Sequence, residues 1–213
     1  RGMSSAASDV YKRQIQDARQ IKKIEKKTNH DVKAVELFIV EKLKKLKLSK
    51  LCEFVHFCCT SEDINNLSYS LMLQRFLNDE FLPEVTSLQK NLNSLAKKYS
   101  KLSMLAFTHG QPASPTTLGK EFSNYSYRLK FHLNLIKSIK QKGKFNGASG
   151  NYNAHLFAEK KVNWEAFSRK FVNSLGLDFS SHSTQIELKD AMSSQLANTC
   201  LLYTSDAADD IPR

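Results

Sequence analysis

Three short polar segments carry residue types that can bind anions and move protons. The segment "TSEDINN" (residues 60–66) places two hydroxyls, two carboxylates and two amides in seven positions. The segment "THGQPA" (108–113) sets a histidine among hydroxyl and amide neighbours, and "NHD" (29–31) joins an amide, an imidazole and a carboxylate. Such groups suit a ligand with phosphates or carboxylates, and a histidine can hold and release a proton near neutral pH. The sequence therefore favours an anionic ligand and acid–base chemistry.

His109 is the histidine whose surroundings packing alone does not explain. It lies within the run "THGQP", which neither helix packing nor a simple turn requires in full. His56 and His132 fit ordinary packed or surface positions on helices and receive no role, and His155 stays open. No metal-ligand spacing and no dinucleotide fingerprint is present, and "GASG" (147–150) lacks the lysine and spacing of a P-loop. We therefore predict no metal site.

The elements that must position these residues are helices. Apolar residues recur with a period close to 3.6 over about residues 61–98, where Pro83 predicts a kink, and again over about 118–139. Shorter helical patterns cover about residues 30–47, 164–175 and 187–200. Long amphipathic helices with only 7 glycines and 4 prolines predict an all-α fold, a long-helix bundle.

The polar segments fall at predicted helix starts. Helices are expected to open within "TNHDVKAVE", at Ser61, within "THGQPASPTTLGKE" (108–121) and within "STQIELKD" (183–190), and "GKFNGASGNYNAH" (143–155) is a glycine-rich loop. Helix N-termini attract anions through their free N–H groups, so segments that converge at one bundle end would bind an anionic ligand. Thr60 or Ser61 can cap the helix and Glu62 and Asp63 suit its dipole. This leaves the second hydroxyl, Asn65 and Asn66 unexplained.

The composition limits the partners and the cellular location that can be expected for this protein. The net charge of +11 admits a nucleic acid, an acidic membrane surface or an anionic small molecule as partner, although many lysines fall on the wet faces of helices. The four cysteines lack zinc spacing, so we expect reduced, mostly buried thiols. No apolar run is long enough to span a membrane and no leader pattern is visible, so a cytoplasmic location is expected.

The two ends of the sequence differ from its middle. Residues 1–13 and 201–213 lack apolar periodicity and resemble translated adapter sequence, and the second interrupts a helical pattern at Cys200. We therefore expect residues 14–200 to be the central part of a longer helical domain, truncated on both sides.

Five collinear segments carry a family resemblance. "TNHDVKAVE", "FVHFCCTSEDINN", "THGQPASPTTLGKE", "NGASGNYNAH" and "TQIE" together resemble the bacterial-type adenylosuccinate lyases, members of the fumarase and aspartase superfamily. "THGQ" alone would be shared with several related lyases, whereas the combination is far more specific. The resemblance covers essentially all of residues 14–200.

The resemblance implies an α-helical homotetramer whose active sites use segments of more than one subunit. It implies β-elimination of fumarate from adenylosuccinate, giving AMP, and likewise from the succinylated aminoimidazole carboxamide ribotide of purine synthesis, without a metal or organic cofactor. The implied partner is an anionic nucleotide substrate. Elimination needs a base, a stabilised carbanion and an acid for the departing nitrogen.

Site residues follow from the same motifs. The resemblance implies that His109 is the general acid and that the substrate is bound by Asn29, His30, Asp31, Thr60, Ser61 and Gln185. His30 would also support His109 electrostatically. Site-lining positions of lesser weight are Lys120, Asn151 and Asn153.

The sequence also departs from the family pattern. The loop of form GSSxMPxKxNP, which carries the serine taken as general base, does not occur here, and "AMSSQLANT" (191–199) does not replace it. The amino-terminal arginine and tyrosine that the family brings to the nucleotide are missing too. We therefore expect the chain alone to be inactive, because one acid or base group contributes about 10²–10⁴ in rate.

Two other hypotheses remain. One keeps the fold but makes the protein another lyase or a cycloisomerase of the superfamily. The other is a non-catalytic basic helical module that binds nucleic acid; against it, the lysines are spread over several helices without interleaved aromatic residues. No nucleic-acid or membrane partner is therefore expected.

Overall fold

The structure is a computed structural model that describes residues 15–186. Its helices are α1 (Ile15–Thr28), α2 (Asp31–Lys45), α3 (Ser61–Arg75), α4 (Leu82–Lys98), α5 (Leu118–Ser138), α6 (Asn153–Ala158) and α7 (Trp164–Ser174), with a 3₁₀ helix (Ser49–Phe54) and a π-helical segment (Phe76–Phe81). The strands are β1 (Ser103–Thr108), β2 (Gln111–Thr117), β3 (Lys142–Gly143) and β4 (Asp178–Phe179). The predicted helix over 187–200, Cys200 and the two adapter-like ends lie outside the described residues.

The described residues divide into two compact units. The first comprises residues 15–67, 144–172 and 180–186, and the second comprises residues 68–143 and 173–179. Within the first unit, helices α1 and α2 pair through polar contacts: Lys42 Nζ lies 3.0 Å from Asp17 Oδ1, and Gln20 donates to Glu41 over 3.1 Å. Helix α1 was not predicted from the sequence, whereas α2 and α7 confirm the predicted helices near 30–47 and 164–175.

The predicted helix over residues 61–98 is present, with an interruption close to the expected kink. It consists of α3, the π-helical segment and α4, and Pro83 stands in the first turn of α4. Proline has no N–H to continue the i to i−4 pattern, and its ring crowds the preceding turn. Leu82 accordingly donates its N–H to Leu77 O, five residues back, which is the π-helical pattern.

The core of the second unit lies between the π-helical segment and helix α5. Leu77 and Ile136 are buried and contact the partly buried side chains of Leu73, Phe81, Leu82 and Ile139. Helix α5 also packs on α4, where Gln89 donates to Ser126 Oγ over 3.0 Å. The predicted apolar stripe of α5 is thus confirmed at Leu129, Leu133 and Ile136, all buried.

The all-α expectation is wrong for residues 103–117, because the chain there forms an antiparallel hairpin. Strands β1 and β2 pair from Ser103 with Thr117 to Thr108 with Gln111, with an irregularity between Leu105 and Phe107. The prolines of β2 at positions 112 and 115 cannot donate to a helical ladder, which explains why no helix forms across "QPASPTT". The helix begins later, at Leu118, where Thr117 Oγ1 accepts from Lys120 N–H over 3.2 Å. The described chain is therefore mostly helical rather than all-α.

The expectation of reduced, mostly buried thiols is met only in part among the described residues. Cys52, Cys58 and Cys59 are free thiols, as expected, but they are half-buried rather than buried. Within residues 15–186, no helix has the length and apolarity needed to cross a membrane. In the same part of the chain no cluster of three or more histidine, cysteine or acidic side chains is placed to hold a metal ion.

Gly119 permits the close approach of α4 and α5, and its replacement tests that packing. A Cβ at this position would lie 2.4 Å from Ala96 O and 2.6 Å from Ser100 Cα, both backbone atoms. We expect Gly119→Ala to lower the free energy of unfolding by about 1–3 kcal/mol, although alanine is the better helix former. Urea unfolding measures it, with exposed Asn124→Ala on the same helix as control. Equal or higher stability of Gly119→Ala would contradict this packing.

Candidate functional site

Asn29, His30 and Asp31 form the connection between α1 and α2. Asn29 ends α1 in the left-handed region, with φ of 50°, and donates its N–H to Glu25 O over 2.8 Å. Asparagine tolerates this conformation better than most residues, which explains its place here. His30 is the N-cap of α2, where its Nδ1 accepts from Lys33 N–H over 3.3 Å. The local fold thus exposes all three polar side chains at a helix start.

These three side chains line an open groove of about 900 Å³. Its other lining residues belong to α1: Lys22, Glu25 and Lys26. Lys22 forms an ion pair with Glu25, at 2.7 Å, whereas Lys26 has no ion pair with a residue that the structure describes. The groove therefore adds positive charge beside the predicted binding residues. Sequence reasoning missed both lysines because α1 was not recognised as a helix.

His30 and Ser61 meet directly, as two separately predicted site residues. The Nε2 of His30 lies 3.3 Å from the Oγ of Ser61, the first residue of α3. Because Nδ1 accepts a backbone hydrogen bond, the neutral ring carries its proton on Nε2 and donates it to the hydroxyl. Asp31 Oδ1 also lies 3.3 Å from Nδ1. The pair is half open to solvent and can reach a ligand.

At the start of α3, a backbone N–H group is bound by the carboxylate of Asp63 rather than by a hydroxyl. Thr60 N–H donates to Asp63 Oδ2 over 3.0 Å, and Asp63 N–H donates to Thr60 O over 3.0 Å. From the sequence, Thr60 or Ser61 was the predicted cap, and Asp63 was expected only to suit the helix dipole. The structure instead frees the Ser61 hydroxyl to contact His30.

Asp63 is also half of a fully buried ion pair. Its Oδ1 lies 3.0 Å from Lys144 Nζ, and both side chains are 0% exposed. The same carboxylate accepts the backbone N–H groups of Asn146 and Gly147, each at 3.1 Å. Lys144 Nζ also donates a hydrogen bond to Gly147 O over 3.0 Å. Burial of two charges is tolerated because each is paired and hydrogen-bonded.

Asn66 accounts for part of the polar surplus in "TSEDINN". Its buried side chain accepts from Lys144 N–H over 2.9 Å and donates to Lys144 O over 3.3 Å, so it binds both backbone groups of one residue. Asn65 donates to Glu62 Oε1 over 3.3 Å on the same helix. Both asparagines therefore have structural roles, and the sequence offered no signal for the partner of Asn66, which is 78 residues away.

The glycine-rich loop continues from this ion pair to the predicted residues Asn151 and Asn153. A Cβ at Gly150, whose φ is +82°, would lie 2.2 Å from Ser183 O, so only glycine fits there. Asn146 holds the same segment by donating to Ser183 Oγ over 2.7 Å. Asn151 and Asn153 are exposed, as is Gln185, two residues beyond Ser183. The side-chain amides of Asn151, Asn153 and Gln185 are thus exposed to solvent, next to a loop and a segment that contact each other.

His155 is a packed histidine rather than a proton donor at an open site. It is 1% exposed, and its ring lies edge-on to Phe145, Tyr152 and Trp164 at centroid distances of 5.8, 5.5 and 5.0 Å. Neither ring nitrogen has a hydrogen-bond partner among the described residues. Burial lowers the pKa of His155, and the charge of Asp63 opposes that shift. The neutral ring is therefore favoured in the folded protein.

His109 lies at the tip of the β1–β2 hairpin in the second unit. His109 and Gly110 form a two-residue turn with φ of 51° and 72°, both in the left-handed region that tight hairpin turns require. The side chain of His109 is exposed. Lys120, a further predicted site-lining residue, forms an ion pair with Glu121 at 3.1 Å. Thus the hairpin, which sequence reasoning did not foresee, is the element that presents His109. Asn29, His30, Asp31, Thr60, Ser61 and Gln185 belong to the first unit.

Comparison with known proteins defines the class. A sequence profile for a family described as lyase matches residues 3–211. The chain therefore belongs to this lyase family. The match confirms the resemblance that the polar segments indicated.

Curated proteins similar to this chain carry the name of one particular lyase. The adenylosuccinate lyase of Haemophilus influenzae is 50% identical over 175 residues, covering 82% of this chain and 38% of that protein. The corresponding enzyme of Escherichia coli K12 is 47% identical over 176 residues, covering 82% and 39%. That of Legionella pneumophila (strain Corby) is 43% identical over 197 residues, covering 89% and 43%. The chain thus spans about two fifths of the length of these relatives.

Solved structures show the same fold. A β-carboxy-cis,cis-muconate cycloisomerase from Acinetobacter calcoaceticus superposes with a TM-score of 0.67 at 18% identity, covering 87% of this chain and 42% of that one. A 3-carboxy-cis,cis-muconate lactonizing enzyme from Pseudomonas putida gives 0.66 at 20% identity, covering 85% and 40%. At these identities the likeness concerns the fold alone.

Acidification should destabilise the fold through His155. Because its folded-state pKa is lowered from 6.5, the unfolded chain takes up the proton first. The stabilisation is complete above the unfolded pKa and is lost as the pH falls below it. We expect His155→Leu to flatten the dependence of the unfolding free energy between about pH 8 and pH 5.5, and the exposed, non-titrating control Asn124→Ala to leave it unchanged. Identical slopes for wild type and His155→Leu would contradict the assignment.

Cys59 should react slowly in the folded protein although it stands beside candidate site residues. Burial, and then the charges of Asp63 and Cys58, raise its pKa from 9.0 to about 12. The thiolate is the nucleophile, so we expect alkylation by iodoacetamide near pH 8 to be slower by on the order of 10³ than in the urea-unfolded chain. Mass spectrometry of a variant with Cys52→Ser, Cys58→Ser and Cys200→Ser follows Cys59 alone. Equal rates in the folded and unfolded states would refute the raised pKa.

Proposed function

We propose that the protein to which this chain contributes is an adenylosuccinate lyase. It eliminates fumarate from adenylosuccinate to give AMP, and from the succinylated aminoimidazole carboxamide ribotide in purine synthesis. The observation that carries the proposal is the 43–50% identity to adenylosuccinate lyases over more than four fifths of the chain. The muconate enzymes, at 18% and 20% identity, support the fold without favouring their own reactions.

The chemistry assigns one acid and one base. The base removes a proton from the carbon beside a succinyl carboxylate, the C–N bond breaks, and its electron pair leaves with the nitrogen, which takes a proton from the acid. We assign the acid to His109, which the hairpin turn holds in an exposed position suited to proton exchange with a ligand. The base serine belongs to the GSSxMPxKxNP loop, a segment that these 213 residues do not contain.

Substrate binding falls to the polar groups of the first unit. The phosphate and carboxylate groups are bound by Asn29, His30, Asp31, Thr60, Ser61 and Gln185, and Asn151, Asn153 and Lys120 are further binding residues. The contact between His30 and Ser61, at 3.3 Å, supports this assignment because it places an N–H donor and a hydroxyl together at a helix start. No metal or organic cofactor is part of the proposal.

The same proposal includes the assembly and location that the family resemblance implies. The complete protein is a cytoplasmic homotetramer in which segments of more than one subunit build each site. Its partners are then the nucleotide substrate and copies of itself.

A chimeric enzyme tests the reaction. Residues 15–186 replace the aligned segment of the Haemophilus influenzae adenylosuccinate lyase, which supplies the remaining parts. We expect the chimera to convert adenylosuccinate to AMP and fumarate, followed by chromatography of the products. A folded chimera that leaves adenylosuccinate intact, or one stabilised against heat by argininosuccinate but not by AMP, would overturn the proposal.

The acid role of His109 is tested in the same chimera. We expect His109→Gln to lower kcat by about 10²–10⁴ with the fold retained, because the departing nitrogen loses its proton donor. His132→Gln, in the same unit and without an assigned role, should keep normal turnover. Circular dichroism and size-exclusion chromatography check folding and assembly. Near-normal kcat in folded His109→Gln would remove His109 from the acid role.

A further inference from the structure

The buried pair of Asp63 and Lys144 connects two segments that carry candidate binding residues. On one side, Asp63 fixes the start of α3 through Thr60 N–H at 3.0 Å. On the other, it binds Lys144 Nζ at 3.0 Å and the backbone N–H groups of Asn146 and Gly147, at 3.1 Å each. One carboxylate thus has partners at a helix start and along a glycine-rich loop.

The contacts extend from this pair to the third binding segment. Asn146, whose N–H Asp63 accepts, donates its side-chain amide to Ser183 Oγ over 2.7 Å. Gly150 lies against the backbone of Ser183 so closely that a Cβ would overlap Ser183 O. Gln185 follows two residues later. Ser61 therefore adjoins Thr60, whose N–H Asp63 accepts, and Asn151 adjoins Gly150, whose N–H donates to Gly147 O. Gln185 lies two residues beyond Ser183, whose hydroxyl Asn146 binds.

An ion pair is an unusual means of joining buried segments. Packed apolar side chains would hold α3 and the loop together without removing two charges from water. Apolar contacts have no direction, however, whereas a carboxylate that accepts several N–H groups fixes the orientation of each peptide plane. Asn66 adds to this by binding both backbone groups of Lys144. The arrangement specifies where the polar groups point, beyond keeping the segments in contact.

We propose that the Asp63–Lys144 pair positions the substrate-binding groups: it sets Thr60 and Ser61, the loop at residues 146–151 and the segment at 183–185 in their binding arrangement before the substrate arrives. This inference rests on the proposed function and assigns that site two positioning residues that do not touch the substrate. Because the positioned groups bind non-reacting oxygens of the substrate, loss of the pair weakens binding and leaves the chemical step unchanged.

A double variant of the active chimera separates positioning from folding. Asp63→Asn with Lys144→Met removes both charges, so neither is left buried without a partner. We expect KM for adenylosuccinate to rise at least about tenfold with kcat within about twofold of the parent. The control removes the exposed pair of Glu165 and Arg169, 2.9 Å apart on α7, by Glu165→Gln with Arg169→Met, and should leave both constants unchanged. An unchanged KM in a folded double variant would overturn the proposal.

Hydrogen–deuterium exchange of the unmodified enzyme provides a test that needs no variant. If the pair sets the loop in advance, the amides of Asn146 and Gly147 exchange slowly in the free protein, and AMP with fumarate changes them little. Fast exchange in the free protein, with protection only when the products bind, would overturn the proposal. Absence of adenylosuccinate turnover would refute the proposed function instead, and the exchange of the free protein would still decide whether the loop is set in advance.

Discussion

The buried ion pair between Asp63 and Lys144 is the interaction on which the first unit depends. Neither charge contacts water, since both side chains are 0% exposed, so each must find its full set of partners inside the protein. Removing one partner of such a pair typically costs about 3–5 kcal/mol, because the other charge stays buried and uncompensated. The start of α3 and the glycine-rich loop are consequently bound to a single geometry.

The sequence predicts those parts of the fold whose pattern of apolar residues is visible within a single segment. Helices α2, α3, α4, α5 and α7 were predicted because an apolar stripe of period 3.6 is visible within each segment. The hairpin was missed because residues 103–117 have no such stripe, and the segment "THGQPASPTTLGKE" was expected to open the following helix. Helix α1 was missed because its residues are mostly polar and none of them is buried.

The same limit applies to the candidate site. The motifs named His30 and Ser61, and the structure brings these two residues into contact. They could not reveal that Asp63 is buried, because its partners Asn146 and Gly147 lie more than 80 residues away in sequence. A carboxylate in the first turn of a helix has an adequate local explanation in the helix dipole, and that explanation concealed the ion pair. The lysines of the groove were hidden for a similar reason, since their helix had not been recognised.

The separation of Asp63 from its partners matters while the chain is being synthesised. The turn at His109 and Gly110 joins adjacent strands, so that hairpin can close within microseconds of its residues becoming free. The bond between Asp63 and Asn146 can form only after 83 further residues have been synthesised. At 5–20 residues per second, their synthesis takes on the order of ten seconds. During that interval the start of α3 is a charged helix end without its partner loop. The hairpin that presents His109 is thus complete long before the loop beside Ser61 can be.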